Sequence, residues 1–120
     1  MERVSGIGGV FFRSRDPEAL TQWYARHLGL ELAPWGGAVL DWREVLPSER
    51  AGYTVWSPFA ADSDYFAPGA APFMINYRVE DLHALLAALR EEGVPVDDRV
   101  EESEHGKFGW AIDPEGNKVE

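Results

Sequence analysis

The chain repeats one order of predicted secondary structure twice, and this repeat constrains the fold more than any other feature. In each half an alternating strand precedes an amphipathic helix, and three shorter strand-like runs follow the helix. The first half covers about residues 4–58 and the second about 72–120. A segment at about 59–71, rich in Ala, Asp, Pro and Gly, connects them as a linker or as a functional lid. We therefore expect one α+β domain over residues 1–120, built from two tandem βαβββ modules.

Both predicted helices carry start and stop signals. Asp16 followed by Pro17 is typical of a helix start, because the acid caps the first turn and proline fits its first position. Gly29 ends this helix, whereas the second helix begins near Asp81 and ends at Gly93. Apolar residues recur at helical spacing in both segments: Leu20, Trp23, Tyr24 and Leu28, then Leu82, Leu85, Leu86 and Leu89. Each helix therefore presents one apolar face for packing.

Three predicted strands follow each helix, and the last of them ends at Glu120. Their approximate bounds are 30–34, 38–44 and 52–57 in the first half, then 95–101, 107–112 and 117–120 in the second. A turn at residues 113–117 precedes the last strand. Because side chains alternate along a strand, Lys118 and Glu120 share one face and Val119 takes the other.

The net charge of −10 is concentrated in the second half of the chain. Residues 1–60 hold seven acids and six bases, whereas residues 61–120 hold fourteen acids and five bases. Such a field repels phosphate backbones, so we expect no nucleic-acid partner, and it attracts cationic ligands. A solvated surface that blocks aggregation is the simpler interpretation of the same charge.

Several other classes of protein are excluded by composition. The chain has no cysteine, which removes disulfides, thiolate nucleophiles and cysteine-based zinc sites. No apolar run is long enough to cross a bilayer, and the N-terminus is unlike a signal peptide. We therefore expect a cytoplasmic protein without a membrane partner.

Several spaced motifs together resemble a known family. In the first half they are Gly6–Phe12, Asp16–Glu18, the Trp23–Tyr24 pair and His27–Leu30, and in the second Val79–Leu82, Gly106–Phe108 and Asp113–Glu120. With these motifs the chain resembles the glyoxalase/bleomycin-resistance/dioxygenase family, also called the vicinal oxygen chelate superfamily. The resemblance implies a curved, half-barrel mixed sheet with the helices on its convex side and a cavity on its concave side.

The resemblance also implies where a metal site would lie. Metal-dependent members of the family place ligands on the first and last strands of both modules, and Glu120 falls on the last of these positions. The other three positions fall on Gly9, Thr54 and Met74. Gly9 has no side chain, Thr54 offers a weak neutral oxygen, and Met74 offers a thioether, so none is a good ligand for a divalent ion. We therefore expect a degenerate site with no metal ligand set and no cofactor, and keep a divalent metal as the alternative.

Strand alternation assigns the two faces of the sheet. The residues expected beneath the helices are Phe73, Ile75, Tyr77, Val79, Val10, Phe12, Tyr53, Val55 and Val119. The residues expected to bind a ligand on the concave face are Phe11, Thr54, Trp56, Met74 and Asn76, beside Arg78, Lys118 and Glu120. Glu120 and His105 are the candidates for acid–base catalysis. The simpler interpretation of Glu120 is one half of an ion pair, and that of His105 is an exposed loop residue.

Three functions compete on this basis. The first is a homodimeric, metal-free protein that binds a small molecule in an aromatic cavity, like the bleomycin-resistance members of the family. The second is a glyoxalase-type lyase, isomerase or dioxygenase in which Glu120 holds a metal or acts as a base. The third is an interaction module whose cavity is filled by Trp56 and Met74.

Overall fold

The computed structural model describes residues 3–41 and 52–120, which form two helices and eight strands. In chain order these are β1 (Gly6–Ser14), α1 (Pro17–Leu28), β2 (Ala38–Asp41), β3 (Tyr53–Ala60), β4 (Phe73–Arg78), α2 (Leu82–Glu91), β5 (Glu101–Ser103), β6 (Gly106–Phe108), β7 (Ala111–Ile112) and β8 (Lys118–Val119). No helix in these two ranges is both long enough and apolar enough to cross a membrane.

Six strands form one mixed sheet in the order β2-β3-β1-β4-β8-β7, and β5 and β6 form a separate hairpin. β1 and β4 pair antiparallel at the centre. On either side, β1 pairs in parallel with β3, and β4 pairs in parallel with β8. This arrangement confirms the expected α+β fold with a mixed sheet, in which the two halves of the chain meet through their first strands, β1 and β4. Within the described residues, two strands follow α1 and four follow α2, where three were predicted after each helix.

Both helices begin at the predicted acids. Asp16 Oδ1 accepts the backbone N–H of Ala19 at 3.1 Å, and Asp81 Oδ1 accepts that of Ala84 at 3.1 Å. These bonds satisfy N–H groups that have no partner within the helix. α1 ends where Gly29 takes a left-handed conformation with φ of 71°. The capping signals in the sequence therefore predicted both starts.

The strands after the helices differ from their predicted bounds. Segment 30–34 contributes only an isolated bridge between Leu32 and Ala38, and the stretch at 95–101 contributes the bridge between Val96 and Ala111 and the first residue of β5. The single strand predicted over 107–112 is divided between β6 and β7. Positions 42–44 of the predicted second strand lie outside the described residues.

A row of cross-strand neighbours crosses the sheet with two-fold symmetry. Val10 and Ile75 lie opposite each other at the centre, with Trp56 beside Val10 and Val119 beside Ile75. Ala38 and Ala111 extend the row on either side. Neighbours in such a row share one face of a sheet. Because Trp56 lies 4.7 Å from the ring of Tyr24 on α1, this is the face that the helices cover, and we call it the helix face.

The opposite side, which we call the open face, holds the most buried aromatic cluster. Its centre is formed by Phe66, Met74 and Trp110, each at most 1% exposed. Phe11 and Phe59 pack against this centre from β1 and β3. The segment that follows β3 supplies Phe66, so it covers part of the open face and leaves the remainder for a site.

Candidate functional site

The carboxylate of Glu120 accepts three hydrogen bonds on the open face. Tyr65 donates its hydroxyl to Oε2, and Trp110 Nε1 donates to the same oxygen at 2.9 Å. Asn76 Nδ2 donates to Oε1 at 2.8 Å. The backbone of Glu120 is fixed beside β4 by hydrogen bonds with Ile75 and Tyr77. The turn before β8 therefore directs Glu120 to the open face, where neutral donors surround it.

Tyr65 ties the segment after β3 to β8. Its backbone oxygen accepts a hydrogen bond from Lys118 Nζ at 2.7 Å, and this amine lies 5.2 Å from the Tyr65 ring and 5.4 Å from that of Trp110. Burial raises the pKa of the Tyr65 hydroxyl, and its hydrogen bond to Glu120 raises it further. Burial also lowers the pKa of Lys118, and the charge of Arg99 adds to this effect.

A cavity of about 710 Å³ occupies the rest of the open face. Its aromatic lining consists of Phe11, Trp35, Tyr53 and Phe108. Its polar lining consists of Asn76, Arg78, Glu104 and His105. Glu104 and His105 come from the turn of the β5–β6 hairpin, which therefore forms one rim of the cavity. Apolar walls with few polar groups are the usual composition of a small-molecule site.

Glu120 determines how the amide of Asn76 is oriented in this cavity. A carboxylate only accepts hydrogen bonds, so the amide nitrogen faces Glu120 and the amide oxygen faces away from it. That oxygen lies beside Gly8, since a Cβ at position 8 would come within 2.5 Å of it and within 2.8 Å of Arg78 Cγ. Glycine at position 8 thus leaves room at the cavity wall for an oriented acceptor beside a cation.

The structure places three of the predicted site residues at the cavity and one beneath it. Phe11, Asn76 and His105 line the cavity. The His105 ring lies 3.7 Å from Glu104 and is 79% exposed at the hairpin turn. Met74 lies on the expected face but is fully buried in the aromatic cluster. The roles of these residues in binding or catalysis stay predictions.

The predicted orientation of β3 is wrong. Trp56 packs against Tyr24 on the helix face, and Thr54 shares that face, with its hydroxyl 3.4 Å from the backbone oxygen of Ile7. Tyr53 and Val55, predicted to lie beneath the helices, line the cavity instead. Alternation shows which residues share a face, but the choice of face depends on how β3 pairs with β1.

The pairing also corrects the repeat alignment. Trp56 lies beside β1 as Val119 lies beside β4, so Ser57 is the residue of the first half that corresponds to Glu120. Alignment of the two halves from the sequence alone puts Thr54 at this position instead. Sequence reasoning also did not identify Tyr65 and Trp110 as partners of Glu120, because both lie in segments whose path depends on distant contacts.

The residues around Glu120 do not fit a divalent metal ion. Gly9 and Met74 at the family positions, and Ser57 in place of Thr54, provide neither histidine nor carboxylate. Three neutral donors already engage Glu120, and a cation would have to displace them. Within residues 3–41 and 52–120, no group of three or more His, Cys, Asp or Glu side chains is arranged to hold a metal.

Solved structures with this fold include enzymes of different activities. The methylmalonyl-CoA epimerase of Streptomyces coelicolor, solved with 2-nitronate-propionyl-CoA, is 17% identical with a TM-score of 0.68, over 98% of this chain and 95% of that one. The methylmalonyl-CoA epimerase of Mycobacterium tuberculosis is 19% identical with a TM-score of 0.59, over 97% and 85%. An NAD-dependent benzaldehyde dehydrogenase from Legionella pneumophila is 11% identical with a TM-score of 0.58, over 92% and 93%. At these identities the likeness shows the fold alone.

The comparison of sequences is more specific. No curated protein sequence matches the chain. The sequence model of a family described as Glyoxalase-like domain matches residues 9–120, which is nearly the whole chain. The chain therefore belongs to the glyoxalase-like domain family, within the vicinal oxygen chelate superfamily.

Proposed function

We propose that the protein binds a small organic molecule, without a metal, in the cavity on the open face. One observation carries the proposal: the cavity of about 710 Å³ combines four aromatic side chains with a fixed polar wall. Its volume falls within the range of small-molecule sites, roughly 300–1,000 Å³. The linker segment and Phe66 fill the neighbouring region, so the cavity has a defined boundary on that side.

The polar wall indicates the chemistry of the ligand. Asn76 presents its amide oxygen as an acceptor, and Arg78, whose Cγ also lies beside Gly8, contributes a positive charge to the same cavity lining. A planar molecule that carries a hydrogen-bond donor next to an acceptor, such as an aromatic carboxamide, complements this pair. The aromatic side chains Trp35 and Tyr53 would then stack on its ring. Glu104 lies at the rim, and the predicted preference for a cationic ligand stays a prediction.

The enzymatic alternative depends on Glu120. As a general base or a metal ligand it would need an oxygen directed at the substrate, yet Tyr65, Trp110 and Asn76 all donate to this carboxylate. The Streptomyces coelicolor relative was solved with an acyl-CoA analogue, so acyl thioesters are the substrates with which to test this alternative. Metal-dependent turnover of such a thioester or of a hemithioacetal, lost in Glu120→Gln, would establish the enzymatic function instead.

The interaction-module alternative has less support. It required Trp56 and Met74 to fill the cavity, and only Met74 lies on the open face. We also propose that the protein is a homodimer, as expected from the resemblance. Sedimentation at micromolar concentration tests this, and a monomeric mass would contradict it.

Isothermal titration calorimetry with 2-naphthamide tests the proposed site. Trp35 and Trp23 form a matched pair, because they are 53% and 51% exposed and only Trp35 lines the cavity. We expect Trp35→Ala to weaken binding about tenfold, as expected for the loss of a stacked ring, and Trp23→Ala to leave it unchanged. Equal losses in both variants, or no binding to the unaltered protein, would contradict the proposal.

A further inference from the structure

A second cavity, of about 390 Å³, lies on the other side of the sheet beneath α2. Its wall on the sheet is formed by Tyr77, Val79 and Val119, and its wall on the helix by leucines of α2. This cavity belongs to the helix face and is separate from the site proposed above. The apolar faces of a helix and a sheet normally pack closely against each other, so an apolar gap of this size between them requires an explanation.

The two-fold symmetry of the sheet explains the space. In the first half Trp56 fills the interval between the sheet and α1, where its ring contacts that of Tyr24 at 4.7 Å. Val119 holds the symmetric position in the second half. Leu89 lies as many residues after the capping acid Asp81 as Tyr24 lies after the capping acid Asp16, so Leu89 and Tyr24 hold equivalent positions on α2 and α1. A Tyr–Trp pair is thus replaced by a Leu–Val pair, and the smaller side chains leave the cavity between α2 and the sheet.

The apolar face of α2 is only partly covered as a result. Leu86 is 4% exposed and packs near Gly109, whereas Leu82, Leu85 and Leu89 are half-buried around the cavity. Half-buried leucines form an opening through which a molecule can enter without unfolding of the helix. The cavity therefore combines an apolar interior with access from solvent.

We propose that this cavity is a second binding site, which takes an uncharged aromatic ring or a short alkyl group. Three charged residues also line this cavity, and each already has a partner elsewhere. Arg3 pairs with Glu92 at 3.2 Å, Asp113 accepts hydrogen bonds from Asn117, and Glu120 accepts those from the open face. A charged group inside would lose its hydration without gaining a partner. An apolar group, by contrast, regains the dispersion contacts that the lining side chains lack. An engineered apolar cavity of about 150 Å³ binds benzene in another protein, so this larger one has room for two fused rings.

Titration with naphthalene, followed by NMR of the leucine and valine methyl groups, tests this site. We expect shifts at Leu85, Leu89 and Val79, and no comparable shifts with the charged analogue 2-naphthoate. Val119→Trp places in the second half the ring that fills the first, so it should weaken naphthalene binding at least tenfold and raise the melting temperature. Tyr53→Ala removes a ring from the open-face cavity and should leave the naphthalene-induced shifts at Leu85, Leu89 and Val79 unchanged, so failure of this site and failure of the proposed function are distinguishable.

The double variant Leu89→Tyr/Val119→Trp supports the same test if the single variant does not fold, because it recreates the aromatic pair of the first half. Naphthalene-induced shifts at Leu85 and Val79 that persist in a folded filled variant would overturn the inference. Absence of methyl shifts in the unaltered protein would overturn it as well. If sedimentation then shows a dimer that Val119→Trp dissociates, the cavity is covered by a second copy of the chain and holds no ligand.

Discussion

Asn76 and Glu120 are joined by a hydrogen bond of 2.8 Å from the amide nitrogen to one carboxylate oxygen. The bond lies at the position where metal-dependent members of the resembled family place their last ligand, and it orients the Asn76 amide. Through Tyr65 the same carboxylate also anchors the segment that crosses the open face. Glu120 therefore links the position of the linker to the polar wall of the cavity.

Glu120→Gln is expected to lower the free energy of unfolding by about 1–3 kcal/mol. The new amide group would oppose one of three donors, and a buried donor would lose its partner. Urea denaturation measures the change. Glu115→Gln, at an exposed position of the preceding turn, is the control, with an expected effect within about 0.5 kcal/mol. Equal effects of the two substitutions would show that the donors around Glu120 contribute nothing measurable.

The raised pKa of Tyr65 predicts a loss of stability in alkaline solution. The folded protein keeps the Tyr65 proton above pH 10.0, the ordinary pKa, whereas the unfolded chain releases it. The difference in Tyr65 protonation contributes fully to the free energy of unfolding below pH 10.0, and this contribution declines as the pH rises towards the pKa of the folded protein. Urea denaturation from pH 9 to 11 should therefore show a steeper decline in the unaltered protein than in Tyr65→Phe. Parallel declines would mean that Tyr65 ionises normally in the folded protein.

Gly8→Ala is expected to weaken binding of 2-naphthamide and to reduce stability by about 1–3 kcal/mol, as overpacked cores do. The added methyl group would clash with the Asn76 amide oxygen, which the bond to Glu120 prevents from moving freely. Calorimetry and urea denaturation measure the two effects. In an Asn76→Ala background the same substitution should reduce stability less, because the clash with the amide is removed. If Gly8→Ala reduces stability equally in the Asn76→Ala background, a contact other than the one with the amide causes the loss.

Trp56→Val is expected to destabilise the protein by about 2–4 kcal/mol, since a large half-buried ring is removed. It leaves Tyr24 and Phe12 without their contacts to the Trp56 ring and opens a space beneath α1, at the position symmetric to Val119 beneath α2. If side-chain volume alone creates these cavities, the variant should bind naphthalene in both halves. Methyl shifts confined to the second half would show that volume is not sufficient.

Local signals predicted the helices and the orientation of β4. Asp16 and Asp81 cap their helices as expected, because a cap acts on backbone groups within one turn. Met74 and Asn76 lie on the open face as alternation predicted, and Tyr77 lies on the helix face. The orientation of β3 was wrong because its partner strand is distant in sequence, and a strand pattern does not contain its own register.

The sequence by itself determined the two capped helices, the strand that precedes each of them and the direction of Glu120 from its strand. Each of these depends on interactions among residues close together in the chain. Only the tertiary structure decided that Tyr65 and Trp110 donate to Glu120, and that Val119 faces α2 where Trp56 faces α1. These outcomes depend on strand register and on the path of the linker, which are set by packing between distant segments.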